Sequence, residues 1–312
     1  MRVAVVDIGT NSTRLLIADV GADGALAELH RESIVTRLGD RVDATGRLAD
    51  DAIGRVFDTL GHYRDLIDEH GVAATTAVLT SAVRDAANGA QFTSAVRERY
   101  GLDARTIGGD EEAALTFAGA TSERPHDGRE LVVVDIGGGS TEFVIGCDGA
   151  VGFHVSTQAG VVRQTERHIR DDPLRREDIA ALRSEVAGII EQHVPRDLRD
   201  RITQAIAVAG TATSCAAIEL ELDPYDPKRV HGHTLTRATC ERILDDLARL
   251  TNPERRNVTG LQPDRAPTIV AGVAMLIEVF DAFGLDQLEV SEHDILRGAA
   301  LRLTARPTEP DG

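Results

Sequence analysis

An α/β protein of two similar lobes, facing one another across a cleft, is the architecture this sequence predicts. Three features carry the expectation. The stretch "RVAVVDIGTNSTRLLIADV" is echoed by "ELVVVDIGGGSTEFVIG", each an apolar strand ending in Asp-Ile-Gly, a small polar bend and a second apolar strand. After each copy comes a third strand, then helix and strand in alternation. Between the copies lies "SERPHDGRE", a polar stretch with Pro and Gly that reads as a linker. A chain of 312 residues is long enough for two such units, each with its own core. The expected division is 1–124 and 125–296, with a terminal helix at about 297–312 packing back on the first lobe.

In chain order, "RVAVVDIG" and "STRLLIADV" form a strand pair and "AELHRESIVTRLG" holds a third strand. Helical spacing follows over "LADDAIGRVFDTLGHYRDLIDEHG", where Ile53, Phe57, Leu60, Tyr63 and Ile67 make one stripe and Gly71 is the stop. "VAATTAVLT" is a buried strand, "AQFTSAVRERYG" a helix, "DARTIG" a strand and "DEEAALTFAGATS" a helix. In the second copy "GAVGFHVSTQAG" is the third strand, "RREDIAALRSEVAGIIEQHV" a helix and "ITQAIAVAG" a strand. "TATSCAAIEL" begins a short helix. "APTIVAGVAMLIEVFDAFG" is apolar nearly all round, hence a buried helix. "LDQLEVSE" is a last strand and "HDILRGAALRLTA" the terminal helix.

Apolar residues at 42% and charged residues at 27% are ordinary for a soluble globular enzyme. No apolar stretch approaches the roughly 20 residues that span a bilayer, and the N-terminus enters a charged strand directly, so a cytoplasmic protein is expected. Cys147, Cys215 and Cys240 are far apart and in no metal-ligand spacing, which fits reduced structural thiols. The net charge of −17 argues against nucleic acid and anionic membranes as partners. The scarcity of aromatic residues removes a base-stacking platform. A small anion held by local donors remains compatible with this charge.

The polar bends carry the chemistry. In "DIGGGSTE", Gly137, Gly138 and Gly139 permit backbone N–H groups to converge on an anion that a Cβ would keep away. Ser140 and Thr141 add hydroxyl donors, while Asp135 and Glu142 are hard oxygen ligands suited to Mg²⁺ or its waters. In "DIGTNST", Asn11, Ser12 and Thr13 repeat the scheme with side-chain donors and Asp7 repeats the carboxylate. Arg14 follows directly, with strand alternation able to aim it away. A single Gly-rich turn is no more than a tight hairpin, but two copies with the same flanks favour phosphate binding. Other candidates weigh less. His231 and His233 have strand spacing but no third metal ligand in view, so a loop or packing role is expected. Arg163 either lines the groove or pairs with Glu166, and Gly272 allows close helix packing.

The pair "DIGTNSTRLLI" and "DIGGGSTEFVIG" resembles the phosphate-binding motifs of the Ppx/GppA family of exopolyphosphatases and guanosine pentaphosphatases. "LTSAVRDAANG", "IGGDEEAALTFAGA", "QAGVVRQTE", "AVAGTATSCAAIE" and "VSEHDILRGAAL" also look like family segments in the family's order, so the likeness covers nearly the whole chain. It implies two ribonuclease-H-like (actin-like) lobes, each a mixed five-stranded sheet with flanking helices. It also implies Mg²⁺-dependent removal of the terminal phosphate from polyphosphate or pppGpp, with Mn²⁺ as the alternative ion. By position, Glu112 matches the family's catalytic glutamate, the base that activates water, and its neighbour Glu111 is the other candidate. Glu142 matches a second essential carboxylate, and Arg84 a phosphate-contacting arginine. Gly210 and Thr211 fall at the superfamily's second-domain nucleotide motif. With the phosphate-binding set of the two bends, this places Asp7, Asp135 and Glu142 at the metal.

The long members' extra helical domains have no counterpart before the chain stops at "LRGAALRLTARPTEPDG", and the net charge is acidic, so short polyphosphate is the expected substrate. The alternatives are pppGpp 5′-phosphohydrolysis, a sugar-kinase-type phosphotransferase and a non-catalytic phosphate sensor. The expected partners are polyphosphate or pppGpp and a second copy in a homodimer, with neither nucleic acid nor membrane.

Overall fold

The computed structural model describes residues 1–304. β1 (Arg2–Ile8), β2 (Ser12–Val20) and β3 (Leu26–Val35) form the predicted meander. They are followed by α1 (Val42–Thr45), α2 (Asp50–Glu69), β4 (Ala74–Leu79), α3 (Ser81–Asp85), α4 (Gly89–Tyr100), β5 (Ala104–Thr106) and α5 (Gly109–Thr121). The strands pair in the order β3-β2-β1-β4-β5, antiparallel in the meander and parallel across β1, β4 and β5. β1 is apolar on both faces because both are covered. Ala4, Val6 and Ile8 meet α2 and α4 on one side, while Val3 and Val5 are buried on the other.

The second half repeats this plan with β6 (Leu131–Ile136), β7 (Thr141–Cys147) and β8 (Ala150–Thr157). Then come α6 (Val161–His168), α7 (Arg176–His193), α8 (Arg196–Arg199), β9 (Ala205–Val208) and α9 (Ala209–Glu219). α10 (Pro227–Val230), β10 (Thr234–Thr236), α11 (Arg237–Ala248) and α12 (Asn252–Arg255) lead to a 3₁₀ turn at Pro263–Arg265. The chain ends on α13 (Ile269–Phe283), β11 (Gln287–Val290) and α14 (Ile295–Thr304). The strand order is β10-β11-β9-β6-β7-β8, so the duplicated five-strand pattern gains a sixth, antiparallel edge strand. The expected five-stranded second sheet is corrected on this point. β10 is three residues long, too short to show a period of two. α11 carries Cys240, Ile243, Leu244 and Leu247 at helical spacing, a stripe passed over in the sequence. The nearly all-apolar α13 is buried at almost every position, as predicted. Residues 305–312 of the expected terminal helix lie outside the described residues. Among the described residues no helix is long and apolar enough to cross a membrane.

The two halves exchange helices. α5 lays Ala113, Phe117 and Ala120 on the second sheet, against Leu131, Val133, Val144 and Ile206. α14 lays Ile295, Leu296, Ala299 and Ala300 on the first sheet, against Val3, Val5, Leu16 and Val78. The two helices cross with backbones touching. A Cβ on Gly119 would stand 1.9 Å from the Asp294 carbonyl oxygen, and one on Gly298 would stand 1.9 Å from the Leu115 carbonyl oxygen.

That contact predicts opposite outcomes for two glycine substitutions. Gly298→Ala forces α14 off α5 and should lower stability by about 1–3 kcal/mol, read as a lower guanidinium midpoint. Gly61→Ala in the middle of α2 meets nothing within 4 Å and should raise stability by up to about 1 kcal/mol. Equal midpoints for the two variants would contradict the crossing.

Candidate active site

Strand register decides which side chains of the bends face the cleft. In the first hairpin Asp7 stands directly opposite Arg14, and in the second Asp135 stands directly opposite Glu142. Cross-strand partners share a face, so each pair points the same way. The bends close identically, Gly9 N–H donating to the Ser12 carbonyl and Gly137 N–H to the Ser140 carbonyl, both at 3.0 Å. The carbonyls of Gly137 and Gly138 accept from the Val161 and Val162 N–H groups at the start of α6 (2.9 and 2.8 Å). A trans peptide sets N–H opposite to C=O, so the N–H groups of Gly138 and Gly139 point away from α6. The two bends abut: a Cβ on Gly138 would lie 2.9 Å from Asn11 N, and one on Gly139 2.7 Å from Ser81 Oγ. Those glycines are required by the facing lobe as much as by any anion.

Between the bends is a cavity of about 90 Å³, some three water volumes and thus room for a phosphoryl group. Asp7, Asn11, Ser12, Glu112, Asp135, Gly137, Gly138, Ser140, Glu142, Gly210 and Thr211 all line it. Arg84, at the end of α3, reaches the same place by donating to Glu112 Oε2 (3.1 Å) and to the Ile107 carbonyl (3.0 Å). Glu112 is in the first turn of α5, whose Gly109 lies against Ser156 of β8. Ser156 in turn donates to Glu142 Oε1 at 2.7 Å. The helix start and the second hairpin therefore deliver their carboxylates to one spot.

Charge is compensated unequally. Arg14 donates to Asp7 through Nε (2.8 Å) and Nη2 (2.6 Å), and bonds Asp294 through Nη1. The second hairpin has a glutamate at the matching position, so Asp135 and Glu142 have no such cation between them. Burial first, and Glu142 next, push the Asp135 carboxyl up to about 8. Burial raises Glu142 against the hydrogen bonds of Ser140 and Ser156. Burial and the charge of Glu142 push Glu112 well above the ordinary carboxylate range, with Arg84 opposing. Asp7 is raised by burial too, and its Oδ1 is buried without a hydrogen-bond partner. An orphaned carboxylate oxygen beside under-compensated carboxylates, all hard donors, fits a divalent cation.

Four expected site residues sit elsewhere. Thr13 and Thr141 alternate to the opposite face of their strands, where Thr13 Oγ1 meets Thr36 Oγ1 (3.0 Å) and Thr141 Oγ1 donates to the Ala159 carbonyl (2.5 Å). Gly139 is taken up by its contact with Ser81 and Thr10. Glu111, roughly 100° round the helix from Glu112, pairs with Arg105 and Arg302 and is not at the cavity. Arg14, two residues beyond Ser12 on the same strand face, points into the cleft, which corrects the reading that alternation aims it away.

The sequence reading missed Arg265. Its guanidinium is half-buried at the cleft, its one hydrogen bond among the described residues is from Nε to Gln262 Oε1 (3.1 Å), and desolvation and Arg14 lower its pKa. The guanidinium packs on Gly210, where a Cβ would lie 1.5 Å from Arg265 Nη1 and displace it. Thr10, Ser81 and Asp294 were missed as well although they lie inside the quoted motif segments "DIGTNST", "LTSAVRDAANG" and "VSEHDILRGAAL", and so was Thr268, which lies in none of them. Ala209, between β9 and α9, holds φ +66° in the left-handed region at the cleft wall, which costs of order 1 kcal/mol for a residue with a Cβ. Gly272 does allow close packing, and what it admits is the Thr211 side chain, 2.6 Å from where its Cβ would be.

The histidines follow a different pairing from the one considered. His233 Nε2 contacts Glu219 (2.8 Å), whereas His231 stacks on His293 with ring centroids 4.1 Å apart near Glu123. Arg297 bonds Glu123 and reaches His293 Nε2, and the Glu292 N–H donates to His231 Nδ1 at 3.3 Å. These bonds engage one ring nitrogen of each histidine, and Glu123, His231 and His293 still offer ligand atoms within 4.8 Å of one another, which corrects the expectation that His231 has no further potential ligands near it.

Comparison with known proteins fits this geometry. The sequence profile of the Ppx/GppA phosphatase family matches residues 16–304. Exopolyphosphatase 2 of Mycobacterium tuberculosis is 38% identical over 314 aligned positions, covering 97% of this chain and 98% of its own. The crystal structure of the Aquifex aeolicus Ppx/GppA family member superposes with a TM-score of 0.81 at 32% identity, covering 99% of both chains. The crystal structure of an exopolyphosphatase from Cytophaga hutchinsonii gives 0.88 at 27% identity, over 97% of this chain and 98% of that one.

The raised carboxylates make a stability prediction for protein freed of divalent ions. Asp135 holds its proton in the fold up to about 8 but loses it near pH 4 when unfolded. Its contribution is therefore full below about pH 4 and lost as pH rises towards 8. Thermal midpoints in chelator should fall between pH 5 and 8.5, and Asp135→Asn should flatten that fall. An unchanged slope in the variant would contradict the assignment.

Proposed function

The chain belongs to the Ppx/GppA phosphatase family, and from that premise we propose that it is an exopolyphosphatase releasing orthophosphate from the end of short polyphosphate chains. It is a phosphoanhydride hydrolase acting on polyphosphate or a related substrate. The observation that carries the finer reading is a phosphate-sized cavity ringed by hydroxyls, backbone amides and three buried carboxylates with raised pKa values. Phosphoryl transfer asks little covalent work of a protein; it needs charge neutralised on the transferred group and a water held in line.

The terminal phosphate is held by Asn11 and Ser12 of one bend and by Ser140 and the amides of the other. Arg265 and Arg84 neutralise the oxygens that face away from the carboxylates. Asp7, Asp135 and Glu142 would hold a divalent ion, Mg²⁺ with Mn²⁺ as the alternative, which when bound supplies further charge neutralisation on the phosphoryl oxygens. Glu112 takes a proton from the attacking water at its carboxylate, the raised pKa bringing its basicity towards the working pH. Arg84, bonded to Glu112 Oε2, fixes the carboxylate's direction. The two abutting bends exclude bulk water from the phosphoryl group.

A second cavity of about 790 Å³ opens beside the first and shares Arg14, Ala209, Gly210 and Arg265 with it. Its walls mix arginines (Arg31, Arg256) with carboxylates (Glu28, Glu32, Asp223, Glu292) and carry Tyr225, Leu261 and Asn257. The carboxylates disfavour a long bare polyanion, which supports short chains. The aromatic, apolar and amide groups would also admit a nucleoside, which is the observation favouring pppGpp as the second reading.

Glu112→Gln should lower phosphate release from polyphosphate with Mg²⁺ by roughly 10²- to 10⁴-fold with an unchanged circular dichroism spectrum, whereas Glu111→Gln should keep near wild-type rates. Full activity in Glu112→Gln would reject it as the base. Rates on short polyphosphate, long polyphosphate, pppGpp and ATP, measured side by side, decide between the two substrate readings.

A further inference from the structure

The ionic contacts between the lobes near the bends converge on Arg163. It is the third residue of α6, immediately after the two valines whose N–H groups bond the second bend. Its Nε donates to the Gly139 carbonyl at 3.0 Å, one Nη bonds Asp43 of α1, and the other reaches Asp85 at 3.2 Å. The side chain is only 14% exposed. Asp85 directly follows Arg84, and Arg84 bonds Glu112. The neighbouring contacts run between the same segments: Arg167 faces Asp43 at 3.5 Å, and the Arg41 N–H donates to Glu166 at 2.9 Å. Arg163 is not among the residues that line the phosphate-sized cavity.

We infer that Arg163 is a positioning residue, tying the second phosphate bend to α1 and α3 of the first lobe so that Arg84 is set against Glu112. This inference rests on the hydrolase reading above. A guanidinium offers a planar fork of donors, which here serves a carbonyl and two carboxylates at once; a lysine ammonium is a point charge and cannot span all three. The tie acts where tolerance is small, because Gly138 and Gly139 already meet Asn11, Thr10 and Ser81 at contact distance. Without Arg163, Asp85 loses the cation beside it, the Gly139 carbonyl loses this donor, and Asp43 keeps only its longer contact with Arg167.

The test uses the full chain and four variants: Arg163→Ala, Arg163→Lys, Asp85→Asn and the double Arg163→Ala/Asp85→Asn. Steady-state release of phosphate from short polyphosphate with Mg²⁺ is measured beside small-angle scattering of the substrate-free proteins. Arg163→Ala should lower kcat by roughly 10- to 100-fold with little change in KM, as expected for misplacement of reacting groups. Arg163→Lys should recover only part of that loss. The double variant should be no worse than Arg163→Ala, since both changes break one tie. Scattering should show a larger radius of gyration for Arg163→Ala than for the wild type. A raised KM with kcat retained would make Arg163 a substrate contact and overturn the inference, as would additive losses or an unchanged radius. If the wild type hydrolyses no polyphosphate or pppGpp, the hydrolase reading fails, and the radius of gyration alone judges the tie.

Discussion

Gly119 and Gly298 let α5 and α14 cross with their backbones in contact, and the position of the cleft follows from that crossing. Each helix leaves the half of the chain to which it is joined and seals the sheet of the other half. An α-helix is stiff over a few turns, so fixing the crossing also fixes what lies upstream. Two turns before Gly119 is Glu112, delivered to the second hairpin. One turn before Gly298 is Asp294, delivered to Arg14 of the first hairpin. Side chains at either glycine would separate the helices and move both carboxylates together.

The duplicated hairpins then divide the electrostatic labour. In one, an arginine opposite the aspartate neutralises it and is itself held by Asp294. In the other, a glutamate opposite the aspartate leaves two buried carboxyl groups with no arginine between them, with Glu112 as a third close by, and burial raises all three above the ordinary carboxylate range. Burying ionised groups without a partner is expensive, and here the expense is concentrated on the residues that surround one small cavity. Strain appears at the same wall, in the left-handed Ala209. Local rules are broken where the chemistry is, and hold in the sheets and in α2 and α13, where packing alone is at stake.

The adjoining larger cavity shares Arg265 with the small one, and the guanidinium of that arginine packs on Gly210. Arg14, Ala209 and Gly210 likewise wall both cavities, so the two spaces meet along one shared boundary.

The sequence by itself determined the duplication, the two polar bends, and most strands and long helices. Period-2 and period-3.6 patterns are local, and a repeated motif is visible without knowing what it touches. Even the contrast between Arg14 and Glu142 was legible in aligning "DIGTNSTR" with "DIGGGSTE". Tertiary structure alone decided the rest. Register turned Thr13 and Thr141 away from the cleft and Arg14 into it. Helix phase sent Glu111 to Arg105 and Arg302. Chain crossing brought Arg265 and Asp294 to the bends from residues far along the sequence, and no motif marked Arg265. A three-residue strand such as β10 acquires its identity only from the partner it pairs with. Contacts between distant segments leave no periodicity in either one, and the side chains that complete this cleft are held by such contacts.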